Sequence, residues 1–220
     1  ALYFSPERDS IVSLSIPFFK DVTLYLGIFF IPLVIFIIVG ASNATNLTDG
    51  LDGLAGGTIA IAASALGLMA YIKGNYNLAT YLRLEFIQEA GELTVFVAAV
   101  VGSLMGFLWF NLKPAQIFMG DTGSLALGGI LANLSILLRE EIFLAIVGGI
   151  FIVEALSSIM QTYYFKYSRM RTGTGKRLFR CAPIHHHFEL KGLSEEKIVG
   201  RFWIIAMLLA AVGLATIKLR

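Results

Sequence analysis

The sequence predicts an all-α polytopic membrane protein with six transmembrane helices, and its composition points to this class. Of its 220 residues, 57% are apolar. Only 15% are charged, whereas soluble domains average about 25%. The mean hydropathy is +0.78, so the chain cannot cover itself with polar surface in water. This composition excludes a disordered chain, a nucleic-acid-binding domain and most soluble enzymes.

Six segments approach the length of about 20 apolar residues that crosses the hydrocarbon core of a bilayer. The first four carry no charge, the fifth carries Glu154 and Gln161, and the sixth carries Arg201. We expect helices because backbone polar groups in lipid must be satisfied within the segment. The six segments are residues 23–41, 54–72, 93–110, 124–138, 142–165 and 198–217.

Residues 1–22 differ from the segments that follow. Apolar residues among serines around Leu14 suggest a short extended or hairpin element there. We expect residues 1–220 to form one membrane-embedded catalytic domain, with a short periplasmic segment at 1–22 and a basic cytoplasmic loop at 166–197.

The six crossings divide the connecting segments between two sides of the membrane. Residues 42–53, 111–122 and 166–197 fall on one side and carry 9 Lys and Arg residues, against 7 on the other side. Cytoplasmic loops carry the excess of positive charge, so we expect the first side to be cytoplasmic and both chain ends to face outward.

The first of these loops, in the stretch SNATNLTDGLDGLAGG, holds Asn43, Asn46, Asp49 and Asp52 at intervals of three residues. Asn, Asp and Gly are ordinary turn residues, and Asp49 could cap the next helix. The alternative is a binding site, because the small residues that follow let a ligand or a helix approach closely. The density of polar groups favours the site.

The second loop places Asp121 between Gly120 and Thr122 at the start of a helix. This aspartate could be a helix cap or a ligand for a hard cation. Magnesium prefers one or two carboxylates together with substrate phosphates. Phe118, three residues earlier, could offer a ring face to a nucleobase.

The third loop contains CAPIHHHFELKG, with His185, His186 and His187 in succession. A zinc site is disfavoured because adjacent histidines do not converge on one ion and Cys181 is the only cysteine. A solvated polar loop remains open, as does a role in donating hydrogen bonds or protons to phosphates. Glu154 and Gln161 are seven residues apart and share a helix face, where they could line a cavity or bond between helices.

Acids, imidazoles and basic residues thus share one membrane face. This combination predicts magnesium-assisted phosphoryl transfer between a soluble diphosphate and a lipid acceptor, a reaction that depends mainly on positioning and charge neutralisation.

The strings NATNLTDGLDGLAGG, FMGDTGSLALGG and PIHHHFE resemble motifs of the polyprenyl-phosphate N-acetylhexosamine-1-phosphate transferases. The third string looks particular to the phospho-N-acetylmuramoyl-pentapeptide transferase branch, and the resemblance covers essentially the whole chain. It implies transfer of phospho-MurNAc-pentapeptide from UDP to undecaprenyl phosphate, with lipid I and UMP as products in peptidoglycan synthesis. It also implies Mg²⁺ as cofactor, a homodimer in the bacterial cytoplasmic membrane, and a ten-helix fold whose last six helices are present here.

Family roles follow by position from this resemblance. Asp121 resembles the magnesium-binding aspartate, Phe118 the residue that stacks on uracil, and Gln161 a glutamine near the nucleoside site. The remaining positions resemble a polar set linked to nucleoside binding and catalysis and an essential histidine cluster; they are Asn43, Asn46, Asp49, Asp52, His185, His186 and His187.

One departure concerns an adjacent aspartate pair that the family carries in an earlier cytoplasmic loop. No Asp-Asp pair occurs in these 220 residues, so we expect the chain to be the C-terminal portion of such an enzyme. Two alternatives stay open: a sister enzyme that transfers GlcNAc-1-phosphate to a polyprenyl phosphate, and a non-enzymatic membrane transporter.

Overall fold

The computed structural model describes residues 13–15 and 23–217, and this part of the chain is almost entirely helical. Two short strands, β1 (Ser13–Ser15) and β2 (Thr23–Tyr25), precede a 3-10 turn at Gly27–Phe29. The helices that follow are α1 Phe30–Thr48, α2 Leu54–Lys73, α3 Tyr76–Leu82, α4 Ala90–Asn111, α5 Gly120–Leu137, α6 Glu141–Val147, α7 Gly149–Thr172, α8 Ile184–Glu189 and α9 Glu195–Thr216.

The hairpin expected near the start of the chain is present in part. β1 pairs antiparallel with β2, and Leu14 lies opposite Leu24. The expected element was confined to residues 1–22, whereas its second strand takes residues that the sequence assigned to the first transmembrane helix. Most of 1–22 lies outside the described residues.

The predicted bounds of the first helix were wrong, because α1 begins and ends seven residues later than 23–41. Its last two turns contain Asn43 and Asn46, which the sequence had placed in a loop. Polar residues continue the helix here because their side chains bond to its own carbonyls. The Nδ2 atom of Asn43 donates to the carbonyl of Val39, and the hydroxyl of Thr48 donates to that of Ala44.

The fifth predicted segment is not one straight helix. It is broken at Gly148 into α6 and α7, which are bent by 78°. Glycine is a common cause of such breaks. α6 packs against α9 at Gly213, where a Cβ would lie 2.8 Å from Val147.

Among the described residues, four helical stretches are long and apolar enough to cross a membrane, and the bent pair would make a fifth. α5 is not among them, so the predicted count of six spans is not confirmed, although the all-α membrane class is. The four stretches are Gly27–Thr48, Leu54–Lys73, Ala90–Asn111 and Glu195–Thr216.

α2 is the central helix of the structure. Residues on all of its sides are buried, and it packs most extensively against α4 and then against α9. Gly57 is in contact with the indole of Trp203, so closely that a Cβ there would overlap the ring. Large apolar side chains on α1 and α4, among them Phe36 and Trp109, are exposed on the outer surface, as expected for faces that contact lipid.

At the end of α2 remote from the aspartate loops, a buried ion pair joins it to the α5–α6 connection. The ammonium of Lys73 lies 2.8 Å from Oε1 of Glu140 and donates to the carbonyl of Leu138 at 2.6 Å. Both charges are buried, and removing Glu140 would leave the ammonium of Lys73 buried without its ion-pair partner. The pair therefore ties α2 to the α5–α6 connection at this end of the bundle.

α1 and α5 approach each other closely at Gly128. A Cβ at this position would lie 2.7 Å from the carbonyl oxygen of Ala41 and from the hydroxyl of Thr45. Small residues permit such backbone contact between membrane helices. This contact determines the distance between the C-terminal end of α1 and the N-terminal end of α5.

We predict that Gly128→Ala destabilises the protein by about 1–3 kcal/mol, because the added methyl group must push α1 away from α5. Gly102→Ala on α4 is the matched control, since nothing lies within 4 Å of its Cβ position. Thermal unfolding in detergent measures both variants. Equal stability of the two would contradict the close approach.

Candidate functional site

Three connecting segments, residues 49–53, 112–119 and 173–194, meet at the same end of the helices and form what we call the site face. Side-chain bonds link them to each other and to the helix ends. One carboxylate oxygen of Asp52 accepts from the backbone N–H of Ala115 at 3.1 Å. The ammonium of Lys113 lies 2.6 Å from Oε1 of Glu195 at the start of α9. The structure thus brings together the loops that the sequence predicted to share one side.

At the centre of the site face, Asn46 on α1 bonds to α5. Its Nδ2 atom donates to Oδ1 of Asp121 at 2.9 Å and to the hydroxyl of Ser124 at 3.0 Å. Asp121 is not the N-cap of α5, because Met119 occupies that position and Asp121 is the second helical residue. Gly120 has φ of +66°, a left-handed conformation that glycine adopts without strain. The carboxylate is therefore held by α1 rather than used as a cap.

Asp49 lies near Asp121 and ends α1 as its C-cap residue. It does not cap the following helix, as one interpretation of the sequence had it, because Gly53 precedes α2. Burial, and next the negative charge of Asp121, raise the pKa of Asp49 above its ordinary value. A partly buried carboxylate that is repelled by an exposed one beside it favours a cation between the two. Within residues 13–15 and 23–217, no group of three His, Cys, Asp or Glu side chains could hold a metal ion by itself.

Asn111, the last residue of α4, is buried and connects two parts of the site face, and sequence reasoning missed it. Its Oδ1 accepts from the N–H of Gly53 at 3.0 Å, and its Nδ2 donates to the carbonyl of Ile117 at 2.8 Å. Gly53 has φ of +78°, and its carbonyl accepts from the indole N–H of Trp203 at 3.2 Å. The only sequence signal was an asparagine directly after an apolar segment.

Phe118 and Asn43 do not bond to the other predicted site residues. The ring of Phe118 is 76% exposed and borders an apolar cleft between α4 and α5 that is also lined by Phe107 and Leu127. A free ring face is what stacking on a base requires. The amide of Asn43 bonds to Val39 in its own helix, so its predicted substrate role stays a prediction.

The three histidines lie on the short helix α8 and have different surroundings. His185 is fully buried, and its Nδ1 lies 3.1 Å from Oε2 of the equally buried Glu154. His186 is partly exposed, and its Nδ1 lies 2.9 Å from Oε2 of Glu189. The Nδ1 of His187 accepts from the backbone N–H of Arg180 at 3.0 Å. Desolvation, and next the charges of Lys191 and Arg180, lower the pKa of His187 below its ordinary value.

Gln161 fastens the third connecting segment to α7. Its Oε1 accepts from the N–H groups of Leu178 and Phe179, and its Nε2 donates to the carbonyl of Phe179. α7 ends at Thr172, about three turns beyond Gln161, so the segment 173–183 runs back along the helix. Both polar atoms of the carboxamide bond to this segment. The predicted contact of Gln161 with a substrate stays a prediction.

We predict that Asn111→Ala costs about 1–3 kcal/mol, because a buried N–H and a buried carbonyl lose their partner. Asn133→Ala is the matched control; among the described residues, the side chain of this exposed asparagine bonds only to Gly129 in its own helix, and about 0.5 kcal/mol or less is expected. Chemical denaturation in detergent gives both values. A loss at Asn111 no larger than that at Asn133 would show that the bridge does not hold the two loops.

Comparison with known proteins places this chain in a family. The profile described as "Glycosyl transferase family 4" matches residues 7–139. Among similar proteins are three called phospho-N-acetylmuramoyl-pentapeptide-transferase. That of Chloroherpeton thalassium is 51% identical over 99% of this chain and 60% of its own length. That of Thermodesulfovibrio yellowstonii is 53% identical over 100% and 59%, and that of Rickettsia massiliae is 54% identical over 94% and 56%. The chain thus spans about three fifths of the length of these relatives.

Proposed function

The chain belongs to glycosyl transferase family 4, and from this we propose that the protein transfers phospho-N-acetylmuramoyl-pentapeptide from UDP to undecaprenyl phosphate. The products are lipid I and UMP. Relatives at 51–54% identity that carry this enzyme's name support the proposal. The structural observation that carries it is the pair of neighbouring carboxylates, Asp49 and Asp121, at one end of a bundle of apolar helices.

The carboxylate pair fits a magnesium ion. Burial, and next the negative charge of Asp121, raise the pKa of Asp49, and a divalent cation would relieve the repulsion between the two carboxylates. Two carboxylates are also the usual protein contribution where phosphates complete the coordination of Mg²⁺. We therefore assign Asp121, with Asp49 beside it, to holding Mg²⁺, which when bound would neutralise charge on the diphosphate.

The donor nucleotide would bind beside the carboxylate pair. Phe118 would stack on uracil through its exposed ring, and Asn46 would keep Asp121 in place.

In the chemical step, an oxygen of the acceptor phosphate forms a bond to the phosphorus that carries the sugar. The bond between the two donor phosphates breaks, and UMP leaves with the electron pair.

His186 and His187 would donate hydrogen bonds to these phosphates. The Nδ1 of His187 accepts from a backbone N–H, so in the neutral ring the proton is on Nε2 and can be donated outward. The lowered pKa of His187 keeps that neutral form populated near neutral pH.

We also infer where the reaction takes place. The excess of Lys and Arg in the loops of the site face favours the cytoplasmic side. A soluble nucleotide donor would reach the site from there, while the lipid acceptor remains in the bacterial inner membrane. That the enzyme works as a homodimer is an expectation from the family resemblance alone.

We predict that Asp121→Asn, in the protein expressed from its complete coding sequence, lowers transfer at least about 100-fold, or roughly 2.7 kcal/mol of barrier. The amide keeps the shape and still accepts from Asn46 but loses the charge that binds the cation. Exposed Glu92→Gln on α4 is the matched control. Lipid I formation from UDP-MurNAc-pentapeptide is measured, with UDP-GlcNAc as a second donor.

A thermal shift by Mg²⁺ provides a second measurement that does not depend on turnover. Mg²⁺ should raise the melting temperature of the unmodified protein and of Glu92→Gln but not of Asp121→Asn. Undiminished turnover by Asp121→Asn would contradict the assignment of Asp121 to the metal. A preference for UDP-GlcNAc as donor would favour the sister enzyme.

His186 and His185 should respond differently to alanine. His186→Ala should lower turnover at least about tenfold, or roughly 1.4 kcal/mol, with little change in thermal stability. His185→Ala should lower stability by about 3–5 kcal/mol, because it leaves Glu154 buried without its partner. Turnover and unfolding are measured on the same preparations. An equal loss of stability in both variants would mean that His186 has only a structural role.

A further inference from the structure

Glu154 and His185 form a fully buried pair that the proposed reaction does not use. Glu154 lies on α7, His185 lies on α8, and neither side chain is exposed at all. Their facing atoms, Oε2 and Nδ1, are 3.1 Å apart, which is ion-pair distance without the alignment of a hydrogen bond. Buried polar atoms of this kind require an explanation.

The surroundings of the pair are apolar. Ile150, one turn before Glu154, and Ile184, next to His185, belong to one apolar cluster that also contains Phe202 and Leu54. Within residues 13–15 and 23–217, the one ion-pair contact found for Glu154 is that with His185. A carboxyl group without a partner would be costly here. The position of His185 is therefore tied to that of Glu154.

The other edge of the His185 ring faces the aspartate loop. A Cβ at Gly50 would overlap Nε2 of His185, so this edge is in contact with the backbone between Asp49 and Asp52. The ring of His186 is also close, with its centroid 4.2 Å from that of His185. His185 thus lies between Glu154 behind it and the site face in front of it.

We propose that Glu154 is a positioning residue whose carboxyl oxygen accepts the Nδ1 proton of His185 and thereby orients the imidazole against Gly50. The oriented ring supports the turn that carries Asp49 and sets the place of His186. Glu154 itself touches neither substrate nor cation. A small rotation of the ring aligns Nδ1 of His185 with Oε2 of Glu154. When the Nδ1 proton bonds to Glu154, Nε2 is the nitrogen that faces the loop.

The proposal concerns the geometry of the protein, and only its kinetic consequence rests on the proposed transferase function. Two variants separate the acceptor from the rest of the side chain. Glu154→Gln keeps the shape and an acceptor oxygen, whereas Glu154→Leu removes the acceptor but fills a similar volume. Glu92→Leu, at an exposed position on α4, is the control for loss of a carboxylate.

Nitrogen-15 NMR of the complete protein in detergent, with labelled histidine, reads the ring directly. The signals that are absent from the spectrum of His185→Asn identify His185, because every other histidine of the complete protein keeps its own signals. We expect the proton on Nδ1 in the unmodified protein and in Glu154→Gln, and a shift of the proton to Nε2 in Glu154→Leu. An unprotonated Nδ1 in the unmodified protein, or an unchanged His185 spectrum in Glu154→Leu, would overturn the proposal.

Turnover provides the second measurement. Glu154→Leu should lower kcat at least about tenfold with KM for the nucleotide donor nearly unchanged, and Glu154→Gln should restore most of it. Equal losses in both variants would overturn the proposal. Absence of transfer by the unmodified protein would instead contradict the proposed function, while the NMR result would stand by itself.

Discussion

The site depends on the close approach of α1 and α5, which the absence of a side chain at Gly128 makes possible. Because the two backbones are in contact there, Asn46 one turn further along α1 reaches Asp121 and Ser124 at hydrogen-bond distance. A wider separation would break both bonds. The carboxylate of Asp121 would then no longer be held beside Asp49, and the charge concentration on which the proposed cation binding depends would be lost.

The other contacts hold this pair of acids in a fixed frame. Asn111 accepts from the N–H of Gly53, and Trp203 donates to the carbonyl of the same residue. These two bonds hold the turn between α1 and α2. The Nε2 edge of His185 supports the same turn at Gly50, and the Nδ1 edge of the ring faces Glu154. These groups are buried or nearly so, and hydrogen bonds in such surroundings are stronger than in water. The face thereby keeps two like charges close together before any cation binds.

The sequence predicted the membrane class and placed the three loops on one side of the membrane. Both predictions rest on the lengths and spacing of apolar segments, which a single sequence shows. It could not predict where α1 ends, because asparagines and threonines that bond to their own helix resemble loop residues. The break at Gly148 was likewise hidden within an apolar run. The burial of His185 was missed because its partner, Glu154, is distant in sequence, and Asn111 was marked only by its place directly after an apolar segment.

A double-mutant cycle between Asn46 and Asp121, scored by cation affinity, tests the central claim that α1 builds the cation site by holding Asp121. Mn²⁺, which takes oxygen ligands as Mg²⁺ does, can be titrated by electron paramagnetic resonance in the complete protein without substrates. The account predicts that Asn46→Ala and Asp121→Asn each weaken binding and that the double variant binds no more weakly than Asp121→Asn alone. Unchanged affinity in Asn46→Ala, or additive losses, would contradict it.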